Sequence, residues 1–261
     1  MKYIKYFDTE HERQSCLDTY KYMSYTEEDK VVNIHQEVPP FFCKLTLNNG
    51  EVVEIEGSGE LTDDYIIEYQ DTLVTLELGD LCTSIGDATC IDYLLLENLI
   101  IGNNVTTIGN YTFQHCIKLT NILLGNNVTI IGEGAFEQCE LLTSIHIPDS
   151  VTYISPSAFS DCASLTNVTF GNNITTIGEW SFRKCTNLTS ITIPASIISI
   201  ENAVFFGCAS LISISVDSNN TVYDSRNNCN AIIKTAANEL KFGCSTTIIP
   251  NSVTSVGNRA F

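Results

Sequence analysis

The chain has 261 residues, 44% of them hydrophobic, which is enough to build a sizeable core and to set aside general disorder. It carries 31 acidic residues against 13 Lys and Arg, a formal charge of −18, so phosphate backbones and anionic lipid are repelled and neither nucleic acid nor membrane insertion is expected. Apolar stretches such as Leu94 to Leu96 are far too short to span a bilayer, and Met1 to Tyr6 lacks an uninterrupted apolar segment, so no secretory signal or anchor is read and a cytoplasmic or particle-associated location stays open.

The charge is uneven, with 18 acids and 6 bases in residues 1–80 and 13 acids and 7 bases in the rest. Residues 1–40 read as a small α+β N-terminal module: a strand, a helix from about Thr9 to Tyr20 and a strand, closed by Pro39-Pro40. Residues 41–72 read as a β-hairpin plus a helix forming an N-terminal cap. Polarity alternates around Asn49-Gly50, a dipeptide that favours a tight hairpin turn, and Thr62-Asp63-Asp64 predicts the start of a helix running to about Gln70.

From residue 73 to 261 the pattern is periodic. Phe113, Phe136, Phe159, Phe182 and Phe205 recur every 23 residues, each followed three positions later by Cys116, Cys139, Cys162, Cys185 or Cys208. A fixed period in this range is the signature of stacked supersecondary units. After each cysteine, columns such as Leu142, Ile145 and Ile147 write L-x-x-I-x-I, a strand with alternate residues inward. Gly125, Pro148, Gly171 or Pro194 then turns the chain, a second short β segment follows, and apolar spacing of three in the Ala-Phe-x-x-Cys stretch predicts one or two helical turns.

Earlier units are irregular, with Cys90 in the phenylalanine column and Tyr93 in the cysteine column. Between Ile200 and Val256 the spacing exceeds two periods, and two β-like runs around Ala236-Ala237-Asn238 predict a hairpin insertion at about 224–244. The pattern resumes at Ile249 and stops at Phe261 within an incomplete last repeat, which sets beside a binding module the alternative of a structural or assembly component, a particle or fibre subunit self-associating through an uncapped C-terminal end. Cysteines in a single column about 4.8 Å apart pair at most two at a time, which favours buried free thiols over a disulfide framework.

Phe-x-x-Cys-x-x-Leu-x-x-Ile-x-Ile-Pro-x-Ser-Val-Thr-x-Ile-Gly, over about residues 70–261, resembles the repeat of BspA-like leucine-rich-repeat proteins. The resemblance implies a leucine-rich-repeat solenoid with 23-residue repeats, each giving a strand to a parallel β-sheet, a short second strand and a helical turn. It also implies adhesion at a cell surface or outside the cell, with a protein or glycan ligand, host matrix or cell surface, and no catalysis. The motif residues are structural, so no binding residue carries over.

The candidate binding face is the outward strand column Ile100, Leu123, His146, Thr169, Thr192 and Ser215, flanked by Asn98, Asn121, Ser144, Asn167, Ser190 and Ser213. Trp180, in a column shared with Tyr111, Gly134, Ser157 and Ala203, is a further candidate for binding or for packing on neighbouring repeats. Seven Asn-x-Thr sequons, opened by Asn104, Asn110, Asn127, Asn167, Asn173, Asn187 and Asn219, fall at repeated turn or strand positions, and repetition accounts for them without glycosylation. Only His11, His35, His115 and His146 are present, with no zinc spacing, calcium loop or phosphate-binding fingerprint, so no metal, cofactor or catalytic set is expected.

Overall fold

The computed structural model describes residues 3–6, 24–26, 31–34 and 42–261. The chain divides into two compact units, Met1–Pro40 and Phe41–Phe261. In the first, Val31–Ile34 pairs antiparallel with both Tyr3–Tyr6 and Ser24–Thr26 in a three-stranded sheet. The helix expected from about Thr9 to Tyr20 lies outside the described residues.

The second unit is a parallel β-solenoid. Each coil contributes a short strand whose middle residue faces inward, as in Ser144–His146, where Ile145 is buried between two exposed neighbours. After the bend comes a two-residue strand, as in Tyr153–Ile154. These second strands build one continuous seven-stranded parallel sheet from Gly59–Leu61 to Ser199–Ile200. Equivalent residues of successive coils pair directly, Ile108 with Ile131 and Ile131 with Ile154. The first strands form three separate groups instead: a five-stranded sheet ending at Asn121–Leu123, then Ser144–His146 with Asn167–Thr169, then Ser190–Ile193 with Ser213–Val216.

The expected helical turn is replaced by a run of overlapping turns. Within one coil the N–H groups of Ala135, Glu137 and Cys139 close turns three residues back, whereas those of Gly134, Phe136 and Gln138 donate to the carbonyls of Pro156, Ala158 and Ser160 in the next coil. A helix would direct every N–H along its own axis; here every second one crosses to the neighbour. Two residues per coil adopt the left-handed conformation that makes this possible, such as Ser157 (φ 55°) with Asp161 (φ 59°) and Trp180 (φ 59°) with Lys184 (φ 55°). That conformation costs an L-residue about 1–2 kcal/mol, which the inter-coil hydrogen bonds offset. The column of Tyr111, Gly134, Ser157, Trp180 and Ala203 is therefore defined by backbone rather than by side-chain size.

Inside, Phe113, Phe136, Phe159 and Phe182 are fully buried and stack with ring centroids 5.4 Å apart, and Phe205 continues the stack 6.0 Å beyond Phe182. The thiols of Cys139, Cys162, Cys185 and Cys208 each donate to the carbonyl of a stacked phenylalanine in the preceding coil, at 3.3, 3.2, 3.3 and 3.1 Å, and Cys116 donates to the carbonyl of Cys90 at 3.2 Å. The ten cysteines among the described residues are all buried free thiols. Coils approach so closely that a Cβ at Gly132 would lie 2.4 Å from the Gly109 carbonyl oxygen.

At the N-terminal end of the solenoid, Cys43–Leu47 and Val52–Ile55 form a hairpin whose first strand pairs antiparallel with Leu73–Leu78. The helix expected over Thr62 to Gln70 is instead two 3-10 turns, Asp63–Tyr65 and Ile67–Tyr69. The Thr62 side chain makes no capping bond, and Ile66, at φ −131° and ψ −3° and fully buried, interrupts the segment to enter the core. Tyr93, the buried occupant of the cysteine column in the first irregular coil, donates from its hydroxyl to Asp63 at 3.2 Å.

Near the other end, Tyr223–Asp224, Ala231–Lys234 and Glu239–Gly243 run antiparallel in succession, and Ser255–Val256 pairs in parallel with Glu239–Gly243. Phe242 meets Phe205 edge-on at 5.7 Å, which joins this sheet to the aromatic stack. The Arg226 guanidinium bridges its segment, donating to Asp224 at 2.7 and 2.5 Å, to Asn238 at 2.9 Å and to Ser252 at 3.3 Å. Thr235 donates to the same Asp224 carboxylate at 2.8 Å.

Candidate functional site

On the outward strand face the pairing register lines up Asn98 with Asn121 and Ile100 with Leu123. It likewise lines up Ser144 with Asn167 and His146 with Thr169, and Ser190 with Ser213 and Thr192 with Ser215. Side chains on the face bond along the stacking axis: His146 Nδ1 lies 2.9 Å from Thr169 Oγ1, and Thr192 Oγ1 lies 2.9 Å from Ser215 Oγ. The twelve positions of the two columns hold no Asp, Glu, Lys or Arg, in a chain with 31 acidic residues. Acids appear only at the first-coil end, where Glu77 pairs alongside Ile100 and Glu97 precedes Asn98.

That end is concave. A shallow depression of about 350 Å³ is lined by Thr75, Asn98, Ile100, Asn121, Leu123 and Ser144, among others. Leu123 is 64% exposed, whereas Ile100 is half-buried. One wall is a relay of amides: Asn98 Nδ2 donates to Thr75 Oγ1 at 3.2 Å, and Asn121 Nδ2 donates to Asn98 Oδ1 at 2.8 Å and to Thr120 Oγ1 at 3.1 Å. Thr75 escaped the sequence reading although it stands one period before Asn98, a signal that extending the column backwards would have found.

Trp180 is not part of this face. It sits in the turn ladder, 38% exposed, with the Arg259 guanidinium 6.0 Å from its ring and 5.8 Å from that of Phe206. This arrangement ties the last turn of the chain to two earlier coils by cation–π contact. The sequons also separate. The amides of Asn104, Asn127 and Asn173 donate to backbone carbonyls of the preceding coil at 2.8, 2.8 and 3.0 Å, so their repetition serves the stack.

Among the described residues no group of three or more His, Cys, Asp or Glu side chains is placed to hold a metal ion, and no helix is long and apolar enough to cross a membrane. Burial pushes Cys116 and Cys162 up to about 12, so both remain protonated thiols at neutral pH. At Asp224, burial acts to raise the carboxyl pKa, but hydrogen bonds from Arg226 and Thr235 outweigh it and hold the group below the usual carboxylate value.

Parallel sheets wound from coils of this length, with a leucine column and a hydrogen-bonded turn ladder, define a leucine-rich-repeat solenoid. The BspA type leucine rich repeat region matches in six copies, over residues 49–152, 83–212 and 129–261, and the chain belongs to that family. No curated protein sequence matches it. Among solved structures, a leucine rich cell surface protein of Faecalibacterium prausnitzii is 28% identical with a TM-score of 0.67, covering 81% of this chain and 63% of its own. The pneumococcal vaccine antigen PcpA is 19% identical with a TM-score of 0.57, covering 84% of this chain and 50% of its own. A leucine-rich repeat protein of Eubacterium ventriosum is 19% identical with a TM-score of 0.52, covering 82% and 52%. The last two likenesses concern the fold alone. The chain thus spans between half and two thirds of the length of these relatives.

Proposed function

We propose that this chain is a non-enzymatic binding module that takes a protein or glycan ligand on the outward strand face of its solenoid, and that it acts at a cell surface. The observation that carries the reading is the uncharged, largely exposed double column from Asn98 to Ser215 in a chain of net charge −18. Family membership and the surface location of the F. prausnitzii relative support it. Solenoids commonly bind along such extended faces. The absence of charge on the face implies contact by shape, hydrogen bonding and the Leu123 side chain rather than by electrostatic steering.

The test is attachment of labelled protein to immobilised matrix proteins and to whole bacterial and epithelial cells. Leu123→Glu combined with His146→Glu should reduce attachment at least tenfold while leaving the thermal transition unchanged, because both side chains are exposed. Undiminished attachment by the double variant rejects this face.

A second reading is end-to-end association through the edge strand Ser255–Val256, favoured by the exposure of Val256 (54%) and Phe261 (61%). Light scattering that rises with concentration, and that Val256→Lys suppresses, supports it. A strict monomer across the range rejects it.

A further inference from the structure

From the depression at the first-coil end of the face, and resting on the binding role proposed above, we infer that the ligand is an uncharged oligosaccharide held over Ile100 and Leu123. The chemistry of a pyranose ring is two-sided, with an apolar face of C–H bonds and a rim of hydroxyls that both donate and accept. The depression has the same two sides. It is lined by the paired Ile100 and Leu123 and, in the adjoining column, by the relay of Thr75, Asn98 and Asn121.

The relay leaves hydrogen-bonding capacity unused. Asn98 Nδ2 has two protons, of which Thr75 takes one, and Asn121 Oδ1 accepts from no group among the described residues. Each primary amide can therefore present a donor or an acceptor to adjacent hydroxyls, and the relay fixes which amide atom faces out. A volume of about 350 Å³ suits one or two sugar rings rather than a folded protein surface.

Charge selects among sugars. Glu54, Glu77 and Glu97 stand at this end with Lys44, which pairs with Glu54 at 3.2 Å and lies opposite Glu77 in the strand register, so acids outnumber the base, can accept hydrogen bonds from hydroxyls and disfavour carboxylated or sulfated residues. The −18 charge of the whole chain adds to that repulsion at low ionic strength. Uronates and sialylated chains are thereby disfavoured against neutral hexose polymers. A phosphorylated or acidic peptide is disfavoured for the same reason.

Affinity gel electrophoresis tests this directly, using the full chain in gels containing a mixed-linkage β-glucan, a galactomannan or a yeast mannan, with polygalacturonate as the charged counterpart. At least one neutral polymer should retard the wild-type chain and polygalacturonate should not. Leu123→Glu and Asn121→Ala should each weaken retardation at least tenfold, whereas Ile130→Glu, on the other sheet, should leave it unchanged. All three variants alter exposed side chains, and thermal melts confirm folding.

Equal retardation by polygalacturonate overturns the inference. So does a wild-type chain that no neutral polymer retards; if that chain still attaches to cells in a Leu123-dependent way, the ligand class is wrong and the face stands. Retardation that neither Leu123→Glu nor Asn121→Ala reduces removes both the face and the sugar site.

Discussion

At the scale of single residues, two columns hold the coils in register, and they act differently. The phenylalanines supply stacked, buried area, while each thiol fills a small space and donates to a backbone carbonyl of the preceding coil. Phe159→Ala should cost about 3–5 kcal/mol, read as a lowered midpoint in urea, because neighbouring rings at 5.4 Å on both sides cannot collapse into the void. The thiols predict an alkaline weakness. Their pKa in the fold, about 12 at Cys116 and Cys162, lies above the unfolded value of 9.0, so the unfolded chain loses protons first as pH rises. Their stabilising contribution is complete below pH 9 and is lost progressively between 9 and 12. Urea midpoints should be flat from pH 7 to 8.5 and fall by pH 10.5, and Cys162→Ala should show a shallower fall. These columns are legible in the sequence because identical residues repeat at one spacing. The left-handed positions are not, since Tyr111, Ser157, Trp180 and Lys184 share a backbone conformation but no residue type.

At the scale of elements, the turn segment explains why a spacing of three reads as helix in the sequence and folds otherwise. Local periodicity cannot distinguish a helical turn from overlapping turns whose alternate N–H groups are claimed by a neighbouring coil, because the decisive partner lies one period away. The segment from Thr62 to Gln70 follows similar logic, broken into two 3-10 turns by the burial of Ile66. The hairpin around residues 231–243 is pinned by Arg226, whose donors reach Asp224, Asn238 and Ser252. Because Asp224 titrates below its unfolded value, this clamp is intact above about pH 4 and weakens as pH falls through the lowered folded value. Arg226→Ala should lower the thermal midpoint at pH 7, and the difference should be smaller at an acid pH below about 4. Hydrogen exchange should localise the loosening to residues 223–256. An equal deficit at both pH values would show that Arg226 acts through packing alone.

At the scale of the whole molecule, the second-strand sheet and the turn ladder run from coil to coil, while the first-strand pairing is interrupted after Leu123 and again after Thr169. The outward column from Ile100 to Ser215 is legible from the repeat alone, because alternation assigns its direction. The depression lined by Leu123, and the departure of Trp180 to another side of the coil, depend on how particular neighbours pack and leave no mark on periodicity. The most direct test of the account is photo-crosslinking with benzoylphenylalanine placed in turn at Leu123, on the strand face, and at Ile130, on the second sheet, during attachment to cells. The account predicts ligand capture from position 123 and little from position 130. Equal capture from both, or capture from 130 alone, would contradict it.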